Sequence, residues 1–169
     1  MDLLIVRHAI AHERNARRWP DDALRPLTPA GIRKFRKAAL GLRRLRIRPQ
    51  RVLSSSLVRA RQTAELLADV AEWPQATECR ELEPEGSIAD LIAALRKFNV
   101  DSLALVGHEP SLSRFIAACV SRRAGGAEVR MKKGAVARLT FARRIRVGGG
   151  RLEWLATPRL LRHVGEART

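Results

Sequence analysis

Two apolar runs constrain this chain more than anything else in it: Leu3-Leu4-Ile5-Val6-Arg7-His8 and Leu103-Ala104-Leu105-Val106-Gly107-His108. Each is unbroken and stops at a histidine. Such runs suit strands covered on both faces, because no polar alternation is then needed. Covering both faces of a sheet takes helices, and helical spacing is what lies between the runs. The expected fold class is therefore α/β: a three-layer α/β/α sandwich with a largely parallel central sheet and helices on both faces. In open sheets of this class, ligands bind beyond the carboxyl ends of the strands. His8 and His108 fall there.

The other elements follow from local chemistry. Thr28 reads as an N-cap with Pro29 at the first helical position. Ile32, Phe35, Ala39 and Leu42 recur at helical spacing, with basic residues mostly on the other side, until Pro49 stops the pattern. Arg51–Ser54 reads as a short strand, with Ser55 or Ser56 capping a helix from about Leu57 to Ala71. A short strand is expected around Ala76–Arg80, and Ser87 caps a helix to about Phe98. After Ser102–Val106, Pro110 opens a helix whose Leu112, Phe115, Ile116, Cys119 and Val120 share one face. Arg122–Lys133 is a glycine-containing basic loop. Ala135–Phe141 and Arg151–Ala156 suggest an antiparallel pair, and Pro158 opens a short terminal helix. No repeat or linker divides residues 1–169, so one domain is expected.

Composition excludes more than it selects. Nothing approaches the ~20 apolar residues needed to span a bilayer. Met1-Asp2 leads into a strand without a basic leader, so neither a signal peptide nor a membrane partner is expected. Cys79 and Cys119 lack C-x-x-C spacing and read as reduced thiols of a cytoplasmic protein. The formal charge of +16 would ordinarily suggest a polyanion partner. Here Lys occurs only at 34, 37, 97, 132 and 133, so Arg supplies most of the charge. Arg and Ala share G+C-rich codons, which weakens the case for nucleic acid. An acidic protein or a phosphorylated substrate accounts for the charge equally well.

The chemistry centres on four positions. A neutral histidine can attack phosphorus through a ring nitrogen, and an adjacent arginine can hold a phosphoryl group in a planar fork. Arg7-His8 offers that pair, although alone it could simply close a strand. Arg59 would lie in the first turn of a helix, where the dipole already favours an anion. Arg61, two positions on, points elsewhere and reads as a surface residue. His108 stands at a strand end just before a helix start; alone it could be a satisfied core histidine. Together the four are hard to explain as structure only.

In sequence order, Arg7-His8-Ala9, Arg25-Pro26-Leu27-Thr28-Pro29-Ala30-Gly31, Ser54 to Ala64, and Val106-Gly107-His108-Glu109-Pro110 resemble the histidine phosphatase superfamily. The compact length and the Arg25–Gly31 motif resemble its small SixA-type phosphohistidine phosphatase branch. The resemblance covers residues 1 to about 120 and implies a phosphoglycerate-mutase-like fold. It implies that His8 is the nucleophile, transiently phosphorylated. Arg7, Arg59 and His108 would bind the phosphoryl group and stabilise its transition state. Three departures stand out: Ala9 replaces the familiar glycine after the histidine, Ser56 stands where proline is common, and His12 is an additional histidine expected to face solvent.

No carboxylate cluster with metal-ligand character is evident, so no metal and no cofactor are expected. Larger relatives protonate the leaving oxygen with an acidic residue. Glu81, Glu83 and Glu85 fall roughly where one would lie, and no motif selects among them. Phosphohistidine releases an imidazole, with a reference pKa of about 6.5, and so depends less on such an acid than an alkyl phosphate does. The leading expectation is dephosphorylation of phosphohistidine in a protein such as a phosphotransfer domain. The alternatives are a phosphatase for a small phosphorylated metabolite, or a noncatalytic module binding phosphate or another polyanion.

Overall fold

In the computed structural model, which describes residues 1–121 and 127–167, the two apolar runs lie side by side. They form β1 (Asp2–Arg7) and β4 (Ser102–Gly107), paired in parallel from Asp2 opposite Ser102 to Arg7 opposite Gly107. Equal length and level register bring both strands to their carboxyl ends together. His8 and His108 therefore emerge next to each other. On the far side of β4 lies β2 (Arg51–Ser54), also parallel, with Ser54 opposite Val106. β3 (Ala76–Glu78) pairs with β2 at the edge. β5 (Val136–Phe141) and β6 (Gly150–Ala156) complete the sheet antiparallel, giving the order β3-β2-β4-β1-β5-β6.

Alternate residues of the same strands enter two different cores. Leu3, Ile5, Leu103 and Leu105 pack beneath α3 (Ile88–Leu95) and α4 (Ser111–Val120), with Leu95, Leu112, Phe115 and Ile116. Leu4, Val6, Ala104 and Val106 pack on the other face, beneath α1 (Pro29–Arg44), α2 (Val58–Ala71) and α5 (Pro158–Glu166). Burial on both faces is what makes the runs unbroken. The α/β sandwich is as expected, with a mixed sheet in which the carboxyl-terminal hairpin is the antiparallel part.

α1 starts as read, with the Thr28 hydroxyl accepting the Gly31 N–H at 2.9 Å. α5 crosses α1 at very close approach. A Cβ at Gly41 would lie 2.1 Å from the Leu161 carbonyl oxygen, and one at Gly165 would lie 2.1 Å from that of Lys37. The start of α2 differs from the expectation. Its N-cap is Leu57 and no side chain caps it, because both serine hydroxyls are engaged elsewhere. β3 ends at Glu78, where a 3₁₀ turn over Arg80–Leu82 takes over, and α3 ends at Leu95. Of the basic loop at Arg122–Lys133, residues 122–126 lie outside the described residues. Cys79 and Cys119 are free and buried.

Candidate active site

His8 follows β1 and is 6% exposed. Its backbone N–H bonds the Gly107 carbonyl at 3.0 Å, which ties the end of β1 to that of β4. Its Nδ1 lies 2.7 Å from the Ala9 carbonyl oxygen, which can only accept, so Nδ1 carries the proton. Burial lowers the His8 pKa to about 3, and the charges of Arg59, Arg7 and Lys133 act the same way against the Ala9 bond. At neutral pH the ring is uncharged and Nε2 keeps a free lone pair.

His108 is 2% exposed, its ring centroid 5.1 Å from that of His8 at an interplanar angle of 49°. Burial first, then His8 and Arg59, lower its pKa to about 3, so it too is neutral. Its Nε2 lies 2.9 Å from Ser55 Oγ, and Ser55 Oγ also accepts the Leu57 N–H at 3.3 Å. His108 Nδ1 is buried without a partner.

The two arginines come from different elements. Arg7 ends β1 and donates from Nη1 to the Met131 carbonyl at 2.6 Å. Arg59, 4% exposed, sits in the first turn of α2. It donates from Nη1 to the Asp22 carbonyl at 2.8 Å and pairs through Nη2 with Asp22 Oδ2 at 3.1 Å. Thr63 fixes its backbone: the hydroxyl donates to the Arg59 carbonyl at 2.7 Å and accepts the Ala9 N–H at 3.0 Å. One side chain thus links the residue after His8 to the helix that carries Arg59. Burial lowers the pKa of both arginines, yet guanidinium stays charged in proteins. Arg7 Nε and Arg59 Nε are buried without partners, as is His108 Nδ1. Unpaired buried nitrogens are costly. Three of them among two guanidinium groups suit an anion rich in acceptors.

All four residues read from the sequence are brought together. Asp22 was missed, although it holds both Arg59 and, at 2.8 Å, Arg25 Nε. The i,i+3 spacing of Asp22 and Arg25 on a 3₁₀ turn over Asp22–Leu24 was the available signal. Glu109 was missed too; its charge opposes the effect of burial on Arg7. His12, expected to face solvent, is half-buried, 5.8 Å from the Trp19 ring. Arg61 is exposed, as read. Among the three carboxylates, Glu81 accepts the Cys79 thiol, Glu83 accepts the Ser56 hydroxyl at 2.6 Å, and Glu85 is exposed. Only Glu83 is held by the loop that carries Ser55. Among the described residues, no group of three or more His, Cys, Asp or Glu could hold a metal ion. No described helix is long and apolar enough to cross a membrane.

Comparison with known proteins identifies the family and the fold. Residues 3–87 match the histidine phosphatase superfamily (branch 1). An uncharacterized protein of Picosynechococcus sp. is 34% identical over 128 residues, covering 74% of this chain and 76% of that protein. The phosphohistidine phosphatase SixA of Escherichia coli is 32% identical over 121 residues, covering 69% and 73%. The solved structure of the protein histidine phosphatase SixA complexed with tungstate superposes with a TM-score of 0.80 and 28% identity, covering 94% of this chain and 98% of that one.

Proposed function

The chain belongs to the histidine phosphatase superfamily, and from that membership we propose that it is a cytoplasmic, metal-independent phosphatase removing the phosphoryl group from phosphohistidine in a protein. One observation carries the mechanism: a neutral His8 whose Nδ1–H is tied to the Ala9 carbonyl, leaving Nε2 bare beside two guanidinium groups. Nε2 attacks phosphorus, the phosphorus–nitrogen bond of the substrate breaks, and the phosphoryl group passes to His8. The substrate imidazole leaves as a neutral ring when its far nitrogen carries a proton. Water then attacks the phosphorus of phosphorylated His8, releasing phosphate and restoring the free ring.

Arg7 and Arg59 supply the charge that the equatorial oxygens demand in the transition state, where phosphoryl transfer gains most of its rate. Asp22 orients Arg59. His108 donates from Nδ1 to a phosphoryl oxygen. That role requires Nε2 to be unprotonated, which is the tautomer selected when the Ser55 hydroxyl donates to it. No dedicated acid is assigned, and an imidazole leaving group removes most of the need for one.

The test is phosphate release from a phosphohistidine-bearing protein in the presence of a chelator, with wild type and His8→Ala compared directly. Turnover by wild type and none by a folded His8→Ala is expected. Comparable turnover by both would exclude His8 as nucleophile. A preference for phosphate esters that disappears in Glu83→Gln would move the assignment to a small phosphorylated metabolite.

A further inference from the structure

We propose that Lys34, Lys133 and Arg162 form a second anion subsite beside the phosphoryl pocket, which takes a carboxylate side chain of the protein bearing the phosphohistidine. The proposal rests on the phosphoprotein reading above and deepens it. The three cations line one small cavity whose wall includes Ala9, the residue after the nucleophile, and whose apolar surface includes Phe35 and Pro158. They arrive from three separate elements: α1, the loop before β5, and α5.

The fold holds this arrangement in place. The Gly134 N–H bonds the carbonyls of both Arg7 (3.1 Å) and His8 (3.0 Å), so the turn bearing Lys133 is fastened to the catalytic strand. Gly134 has φ of +80°, and a Cβ there would meet Phe35 at 3.2 Å; glycine is what lets the turn lie this close. Arg162 is positioned by the glycine-mediated crossing of α5 on α1. The charge of Lys133 is felt at His8.

None of the three cations has an ion-pair or hydrogen-bond partner among the described residues. Glu166, which feels the charge of Arg162, is already bonded to Lys37 at 2.6 Å. The cavity volume is about 30 Å³, room for about two water-sized oxygens. That matches the head of one carboxylate, whose methylene stem would rest on Phe35 and Pro158. One carboxylate on an apolar stem uses both features of the cavity, the cations and the Phe35–Pro158 wall. The two anion sites together would read a phosphohistidine with an acidic neighbour.

The experiment uses synthetic phosphohistidine peptides in which a glutamate, or a lysine in its place, is walked through the flanking positions. At the matching position, wild type should prefer glutamate over lysine by about five- to tenfold in KM, the size expected of a few partly exposed charge pairs. Lys34→Glu with Arg162→Glu should invert that preference. If the double reversal does not fold, Lys34→Gln with Arg162→Gln should abolish it. Turnover of every peptide with no glutamate preference overturns the subsite and leaves the phosphohistidine reading standing. A preference unchanged by the substitutions overturns it equally. Turnover of a phosphohistidine-bearing protein but of no peptide overturns the subsite as a reader of flanking residues. Failure on both protein and peptides overturns the phosphohistidine reading itself, and the subsite with it.

Discussion

His8 and His108 are both buried and neutral, yet their protons are placed by different means. The carbonyl of Ala9 fixes the proton of His8 on Nδ1, and it does so through the backbone, so the adjacent side chain hardly matters. That explains why alanine after the histidine is tolerable: its Cβ takes no part in this contact. For His108 the control is a side chain, Ser55, reaching across from the end of β2. Ser55→Ala should therefore lower kcat about tenfold, less than the ~10²–10³ cost of losing a transition-state donor outright. Stability should fall by only ~1 kcal/mol. Steady-state kinetics beside ¹⁵N shifts of the His108 ring would check this. An unchanged tautomer with unchanged kcat would remove Ser55 from the mechanism. The four residues read in the sequence were legible because each stands at an element boundary. Asp22 was not, since its partner Arg59 is distant in sequence and only the folded loop brings them to 3.1 Å.

At the scale of elements, the entry of α1 shows how local and distant requirements combine. Thr28 caps the helix by local chemistry, and Thr28→Ala should cost ~1 kcal/mol. Gly31 answers to a different constraint: a Cβ there would lie 2.1 Å from the Ile10 carbonyl oxygen. That oxygen also accepts the Thr28 N–H at 3.0 Å, so the loop after His8 is clamped to the helix start. Gly31→Ala should cost more than the cap, ~2–3 kcal/mol from overpacking, and should reduce turnover by shifting the loop beside His8. Urea denaturation of the two variants would rank them. A smaller loss for Gly31→Ala than for Thr28→Ala would contradict the clamp. The start of α2 carries the opposite lesson. Serines before a helix read as caps, but Ser55 is drawn to His108 and Ser56 to Glu83. Leaving that helix end uncapped keeps its free N–H groups and dipole near the proposed anion pocket.

For the whole molecule, keeping two neutral histidines against two guanidinium groups makes stability depend on pH. Both have pKa lowered from 6.5 to about 3. Between those values the unfolded chain binds protons that the folded chain refuses, so stability falls as pH drops from about 6.5 toward 3. Above about 6.5 neither ring contributes a slope. Asp22, held below its usual value by its bond to Arg25, adds a loss of the same sign at the acidic end. Urea unfolding should thus show clearly lower stability at pH 5 than at pH 7, and His8→Asn with His108→Asn should flatten the difference. Equal wild-type stability at the two values would contradict the buried neutral pair. The sequence alone determined that β1 and β4 are covered on both faces, that helices do the covering, and that the reactive types stand at strand and helix ends. Those properties are written in hydrophobic period and cap chemistry, which act over a few residues. The tertiary structure decided that β1 and β4 are neighbours in level register, that Asp22 meets Arg59, that Ser55 serves His108, and that Lys34, Lys133 and Arg162 converge. Such pairings depend on strand order and on close crossings such as Gly41 with Leu161, which no local pattern encodes.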